Sequence, residues 1–512
     1  MALARAFSVA LVGLEAHVVE VEADLGQGLP GLTLVGLPDA AVAESRDRVR
    51  AAVQNSGLQW PLRRITLGLS PASLPKRGSA FDLAIAAAIV AAGDEELPAA
   101  ALTDLVLLGE LALDGGIRPV RGVLPAVRGA RDAGFRRVVV PAGNLAEARL
   151  VDGVESYGLR RLTDLVRLVR HGEYDEPEQD VRPSGGSDQP ALDLVDVAGQ
   201  PLGRSAVEVA AAGGHHLFLL GPPGSGKTML AERLPGLLPP LSREEALEVT
   251  SVHSVAGALP RASPLVEHPP FQDPHHGATV TSIVGGGSGI ARPGAASLAH
   301  RGVLFLDEAP EFPRGVLDAL RQPLERGSLS IRRVGGTATY PARFTLVLAA
   351  NPCPCAVDGE GCTCSPRARR AYLARLSGPL MDRIDLQVTL PRVTRAEVLA
   401  EGGRGEPSAD VAARVAQARQ RALHRYAGTP WRANADVPPV ELRRRWPLPR
   451  SVTLHADEAL DSGALTARGY DRVLRIAWTL ADLAQVSAPG EEQVGQALLL
   501  RGVTPRPAWS AA

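Results

Sequence analysis

Residues 216–220, His-Leu-Phe-Leu-Leu, run directly into Gly221-Pro-Pro-Gly-Ser-Gly-Lys-Thr228, and the stretch from Thr228 to Leu234 has helical character. The spelling G-x-x-x-x-G-K-[ST] between a strand and a helix is the phosphate-binding P-loop, which commits this part of the chain to an α/β architecture. Small residues at Gly221, Pro222, Pro223, Gly224, Ser225 and Gly226 let successive backbone N–H groups point at phosphate oxygens, while the helix offers its positive end. Lys227 would reach the β and γ phosphates, Thr228 would ligate Mg²⁺, and Met229 follows on the first helical turn.

Lys227 is one of only two lysines, the other being Lys76, among 55 basic side chains. An ammonium is a compact point charge that fits between phosphates where arginine's planar fork does not. A second apolar strand, Val303-Leu-Phe-Leu-Asp-Glu308, delivers two carboxylates at its end. Asp307 is expected to hold the Mg²⁺ shell and Glu308 to polarise an attacking water. Asn351, closing the strand 344–350, is placed to orient that water from a neighbouring strand, with a turn-forming Asn-Pro as the alternative.

The four cysteines, Cys353, Cys355, Cys362 and Cys364, lie within twelve residues. Thiols at that density suit a structural, tetrahedral Zn²⁺, although the spacing departs from C-x-x-C by one residue. Reduced thiols without metal, or a redox pair, are the alternatives. Pro354 favours a bend that brings the first two sulfurs to one side.

Acidic residues number 56, so the formal net charge is -1 and no whole-molecule field draws in nucleic acid. Contact with DNA would need a local patch. No run of about 18 apolar residues occurs, and the N-terminus lacks the features of a secretory signal, so the expectation is a cytoplasmic chain with no membrane partner. Near-exclusive use of arginine makes most arginines individually uninformative.

At 512 residues the chain calls for several domains. Residues 1–172 alternate short β-branched runs with Ala-rich helical stretches, including helices near 40–56, 81–92 and 122–133. Residues 173–190 are acidic and rich in Pro and Gly, and read as a linker. Residues 191–392 form the nucleotide-binding core, and 393–512 turn helical. Before the second carboxylate strand, residues 285–294 look too glycine-rich for a packed element. Residues 329–340 alternate around Gly335-Gly336 and predict a β-hairpin.

Taken together, Asp196-Val-Ala-Gly-Gln200, Gly213-Gly-His-His216, Pro274-His-His276, the segment from Ser297 to Glu308, Asn351-Pro-Cys-Pro-Cys355 and Ser377-Gly-Pro-Leu-Met-Asp-Arg-Ile-Asp385 resemble the magnesium-chelatase-like AAA+ ATPases, ComM type. The resemblance spans nearly the whole chain. It implies an N-terminal Lon-protease-like α/β domain, a central AAA+ P-loop domain and a C-terminal helical lid. It further implies ATP and Mg²⁺, a homo-hexameric ring, and roles for Asp307 and Glu308 as Walker B and Asn351 as sensor 1. Gly199 and Gln200 join the nucleotide site, Arg383 takes the arginine-finger position, and Arg475 that of sensor 2, with Arg472 as the alternative. A salt bridge of Arg383 with Asp382 and Asp385 is the plainer reading.

In the Lon-like domain, Ala80 stands where the protease serine would be and Ser79 lies one place off, so no proteolysis is expected. Lys76 reads as a solvated loop lysine. Gln272, Ala295 and Ala356 depart from the family pattern, where a basic residue, an acidic residue and a glycine are usual. Six copies of Arg292, Arg332 and Arg333 would line a ring's channel with positive charge. Pairing with carboxylates of neighbouring subunits competes with that reading. His275 and His276 are expected to structure their loop or contact substrate. The resemblance implies a DNA motor that promotes branch migration in homologous recombination during natural transformation, with a recombinase as a further partner. The alternatives are a chelatase-type ATPase remodelling a partner protein for metal insertion, and an ATP-gated recombination scaffold.

Overall fold

The computed structural model describes residues 2–36, 40–74, 76, 78–93, 97–177, 192–259, 263–287, 291–333, 336–357, 361–400 and 405–503. Most of the predicted linker and the turn residue Gly335 lie outside these residues.

The N-terminal unit is a seven-stranded mixed sheet. Its centre is a long antiparallel hairpin, Ala2–Val12 with Glu15–Gly26, absent from the sequence reading. Val19, Val21, Ala23 and Leu25 alternate inward along the second strand, against a helix, Asp82–Gly93, that is buried almost all round. A helix apolar on every face has to be enclosed, and this one lies within the largest core cluster. Helix Val123–Asp132 packs in a second cluster with Val106, Val138 and Val140. The ordered unit continues past the expected boundary at 172. Tyr174 stacks edge-on against Tyr157 at 5.2 Å, and its hydroxyl accepts from the Gly158 N–H at 3.1 Å.

The central unit is a five-stranded parallel sheet in the order Phe271–Gln272, Val303–Leu306, Thr345–Ala350, Leu217–Leu220, Leu386–Thr389. Its strands are buried on both faces, which their continuous apolar runs require. Both predicted acid-bearing and P-loop strands therefore end on the same edge. The C-terminal region is helical, as expected, built on Ser408–Arg425, Pro439–Arg445, Arg450–Asp461, Ala467–Leu483 and Glu491–Leu500.

Helix Arg243–Ala256 and the hairpin Ser328–Arg333/Gly336–Pro341 join the first two units. Ile331, Ala338 and the fully buried Tyr340 cluster with Val255, and Leu11 and Leu14 of the N-terminal hairpin pack against them. Beside this apolar seam, the buried Glu147 carboxylate accepts from Ser254 Oγ, from the Leu124 N–H at 2.8 Å and from Asn144 Nδ2 at 3.2 Å.

Among residues 285–294, the described ones, 285–287 and 291–294, correct the sequence expectation. Gly285 and Gly286 pair with Pro293 and Arg292 in a short antiparallel ribbon. A Cβ on Gly285 would lie 2.4 Å from Arg292 O and 2.8 Å from Ile331 Cδ1, so glycine is there because packing is tight.

Candidate nucleotide site and cysteine cluster

The P-loop leaves its strand with Gly224 and Gly226 at φ 75° and 82°, a left-handed region open to glycine at no steric cost. A Cβ at either position would meet nothing within 4 Å, so both face open space. The helix Lys227–Leu237 starts immediately, with its N-terminal dipole at the cradle. Ser225 is buried and its Oγ has no hydrogen-bond partner, an acceptor or donor left over inside the loop.

Lys227 Nζ donates to Gly221 O at 2.8 Å, Pro222 O at 2.9 Å and Asn351 Oδ1 at 3.2 Å. Burial holds its ammonium below the usual value, while Asp307 and Glu308 pull the other way. Thr228 Oγ1 donates to Asp307 Oδ2 at 2.8 Å. The cradle, the hydroxyl–carboxylate pair and the lysine together fit a nucleotide polyphosphate with its divalent cation: Lys227 and the loop amides would hold phosphate oxygens, and Thr228 and Asp307 would hold the metal. Glu308 is half exposed, sits at φ 51°, and donates its backbone N–H to Asp307 Oδ1 at 2.8 Å. Its carboxylate lies 3.3 Å from His276 Nδ1, a contact that sequence reading missed across 32 residues.

The remaining predicted residues divide. Gln200 is buried and begins the helix Pro201–Gly213, its amide donating to Pro391 O at 2.6 Å. Gly199 precedes it at φ 64°, and Met229 is 37 % exposed on the P-loop helix. Arg383 hydrogen-bonds Glu325 and the Pro379 carbonyl, so the salt bridge to Asp382 and Asp385 that was the alternative to the finger role is not the one formed. Burial and the nearby Arg321, Arg468 and Arg472 lower its pKa.

The two sensor 2 candidates, Arg475 and its alternative Arg472, lie about Asp385. Arg472 pairs with Asp385, and Arg475 is buried within the fields of Asp385, Arg472, Asp471 and Asp436. Asp385 precedes the strand Leu386–Thr389 and accepts from the His216 N–H at 3.2 Å, at the edge of the sheet opposite the P-loop. The four-residue strand Leu217–Leu220 runs between this hub and the P-loop, a separation of about 13 Å along the strand. Asp385 also lies 3.5 Å from His215 Nδ1. Desolvation pushes His216 down to about 4, and its Nδ1 accepts from the Leu346 N–H at 3.0 Å. Gly213-Gly-His-His216 and Asp382-Arg-Ile-Asp385 were both visible in the sequence, but only folding brings them together.

The four sulfurs all lie within 4.8 Å of one another, with Cys353–Cys355 at 3.2 Å and Cys362 at 3.5 Å from each. A tetrahedron with metal–sulfur bonds of about 2.3 Å has edges of about 3.8 Å, so the gathered thiols are compatible with a zinc site. Ala356, next to the first pair, adopts φ 55°, the conformation glycine takes freely.

In the N-terminal unit, Lys76 is fully buried and donates to Pro71 O, contrary to the expected solvated lysine. Desolvation lowers its pKa. Ser79 Oγ donates instead to Glu110, so the two residues hydrogen-bond separate partners. Pro75 and Arg77 of the same motif lie outside the described residues.

A parallel sheet with a P-loop, an Asp-Glu pair and a polar residue on adjacent strands, followed by a helical lid, defines a chelatase-type AAA+ ATPase fold. The chain matches the magnesium chelatase subunit ChlI family at 193–398, its N-terminal ChlI unit at 21–144 and its C-terminal unit at 405–501. It is 54% identical over 502 residues to an uncharacterised protein of Mycobacterium tuberculosis, covering 98% of this chain and 99% of that one. To the competence protein ComM of Haemophilus influenzae it is 42% identical over 504 residues, 97% and 96% of the two chains. A 172-residue stretch, 32% of this chain and 22% of the other, is 27% identical to Lon protease of Mycolicibacterium smegmatis. The protein belongs to the magnesium-chelatase-like family, in its ComM-type branch. Among the described residues no helix is long and apolar enough to cross a membrane.

Proposed function

We propose that the chain is an ATP-driven DNA motor, assembled as a homo-hexamer, that moves single-stranded or branched DNA during recombination of incoming DNA in natural transformation. The observation that carries this reading is a pair of basic projections beside the hydrolytic strand. Arg292 is exposed on the 285–293 ribbon and Arg332 on the hairpin, and among the described residues neither makes an ion pair. The backbone of Arg333 continues that hairpin strand. The ribbon leads through Ala295–Leu298 into Val303–Leu306 and its Asp-Glu pair, so one stretch of chain connects a projection to the carboxylates. The name of the ComM relative favours competence as the setting, and a recombinase is the partner class this implies.

Hydrolysis in this reading begins when phosphate oxygens replace the carbonyls now bonded to Lys227. Bound Mg²⁺ supplies charge neutralisation of the phosphates at Thr228 and Asp307. Glu308 accepts the proton of the attacking water, and Asn351 fixes Lys227 and that water from the adjacent strand. Arg383, among Arg321 and Arg468, offers positive charge to a neighbouring subunit's nucleotide. The cysteine cluster binds one structural zinc that braces the loop following Asn351.

The test is ATP hydrolysis with and without single-stranded and four-way-junction DNA, together with junction unwinding. Wild type is expected to be stimulated and to resolve the junction, and Glu308→Gln to bind ATP without doing either. DNA that neither binds nor stimulates overturns the motor reading.

A further inference from the structure

We infer that the helical lid carries a second nucleotide-binding site, remote from the P-loop, that takes one base with its phosphate. The inference stands apart from the motor reading, because a free nucleotide and one link of a single strand present the same chemistry. The lid encloses a cavity of about 670 Å³, within the range of small-ligand sites. Its walls are the last turns of helix Ser408–Arg425, Trp478 of helix Ala467–Leu483 with the turn that follows, and Trp446.

A chain of hydrogen bonds fixes where this cavity lies. Arg425 donates to Asn434 Oδ1 at 3.2 Å, Asn434 Nδ2 donates to Thr479 Oγ1 at 3.0 Å, and that hydroxyl meets His215 Nε2 at 2.7 Å. His215 stands just ahead of the strand Leu217–Leu220, and the P-loop leaves the far end of the same strand. The two sites therefore lie toward opposite ends of it.

Three kinds of group line the cavity. The first is a pair of indoles, in a chain with only five tryptophans. Trp446 is half-buried and held edge-on by Tyr426 at 5.0 Å and Trp431 at 6.4 Å, so its plane is set in advance for stacking on a base. Trp478 is 4% exposed, with the Arg425 guanidinium 4.3 Å from its ring centroid, and its buried N–H has no hydrogen-bond partner among the described residues. A buried donor left without an acceptor is uncommon and suits a site that a ligand completes.

The second is positive charge. Arg425 is paired with Asp482, but Arg421 makes no ion pair among the described residues. It donates to Val486 O at 3.0 Å, and its buried Nε has no partner. The third is a set of amides, Gln417, Gln420 and Gln485, which both donate and accept as a base edge requires. Gln485 follows its helix at φ 59°, a position that glycine usually takes, and donates to Gln417 Oε1 at 3.1 Å. Among the described residues no carboxylate lines the cavity, so nothing there repels a phosphate. An acidic peptide would use the guanidinium alone and leave the indole face and the amides idle.

The test titrates the full-length protein with thymidine 5′-monophosphate and with the tetranucleotide (dT)4, by calorimetry and by quenching of tryptophan fluorescence. Wild type and Lys227→Ala are expected to bind and to be quenched alike. Trp446→Leu, and Gln420→Glu on the exposed rim where folding is not at stake, are expected to weaken binding about tenfold. Tighter binding of (dT)4 by about tenfold or more assigns the site to a strand, and equal binding assigns it to a free nucleotide. Binding without quenching that Gln420→Glu leaves unchanged overturns the lid site and spares the motor reading. Absence of binding by both probes, or binding of a tetra-aspartate peptide alone, also overturns it. DNA that fails to stimulate hydrolysis defeats the motor reading while the lid titration still stands.

Discussion

The N-terminal and central units solve the same packing problem with opposite treatment of their polar residues. In the first, Lys76, Ser79, Asp82 and Glu147 are turned onto internal partners: Pro71 O, Glu110, Arg48 and Ser254. In the second, Ser225 Oγ has no partner, Thr228 and Glu308 are exposed, and two loop glycines border open space. A buried lysine is thus no sign of chemistry by itself. What marks the site is polar capacity left unspent next to room for a ligand.

The two lysines break or confirm this contrast most sharply. Lys227→Ala should cut ATP hydrolysis roughly a hundred- to a thousandfold, as loss of a transition-state donor does. Lys76→Met should leave turnover per folded molecule within about twofold, because a buried charge replaced by an apolar chain of similar length is often tolerated. A comparable loss of hydrolysis in both would erase the distinction. Next in size is metal removal: the purified protein should carry one zinc per chain by elemental analysis, and Cys353→Ser should lose it and lower the thermal midpoint by several degrees.

A pH titration separates the units by sign. Desolvation raises Asp82 to about 6, despite the opposing bond from Arg48, and also raises Glu147. The folded N-terminal unit therefore binds protons more readily than its unfolded chain, and gains stability as pH falls from about 6 toward 4. In the central unit, desolvation depresses His216 to about 4. Asp385 is held down chiefly by Arg472 and His215 against its burial, and Glu248 is lowered to about 2, first through His300. There the unfolded chain binds more protons, so stability is lost as pH falls from about 6.5, first through His216 and then through the carboxylates. Hydrogen exchange at pH 6 and pH 4.5 should show protection holding or rising at 82–93 and falling at 217–220. Protection moving together in both would defeat the contrast. The smallest effect expected is Ala356→Gly, which relieves a left-handed alanine and should stabilise the fold by about 1 kcal/mol in denaturant unfolding.

Much of the central site was legible because its information is local. The P-loop, the Asp-Glu strand and the hairpin 328–341 are each spelled within about a dozen residues, and each formed where the periodicity placed it. The N-terminal hairpin was missed for a physical reason: its first strand turns Ala4, Ala6, Ser8 and Ala10 inward, small residues with weak strand preference. The second strand, with Val19, Val21 and Leu25 set against Glu20, Glu22 and Asp24, did carry a readable alternation. Neither the Asp385 hub nor the approach of His276 to Glu308 could be read, since each joins residues far apart in the chain. The resemblance names Arg475, or Arg472 in its place, as sensor 2, and the fold gathers both about Asp385.

The seam formed by Leu11, Leu14, Val255, Ile331 and Tyr340 bears on ancestry as well as on movement. A gene shortened to its ATPase would encode a protein with an uncovered oily flank at the root of the hairpin, prone to stick to itself. The first unit shields that flank, so the two have reason to be inherited as one reading frame.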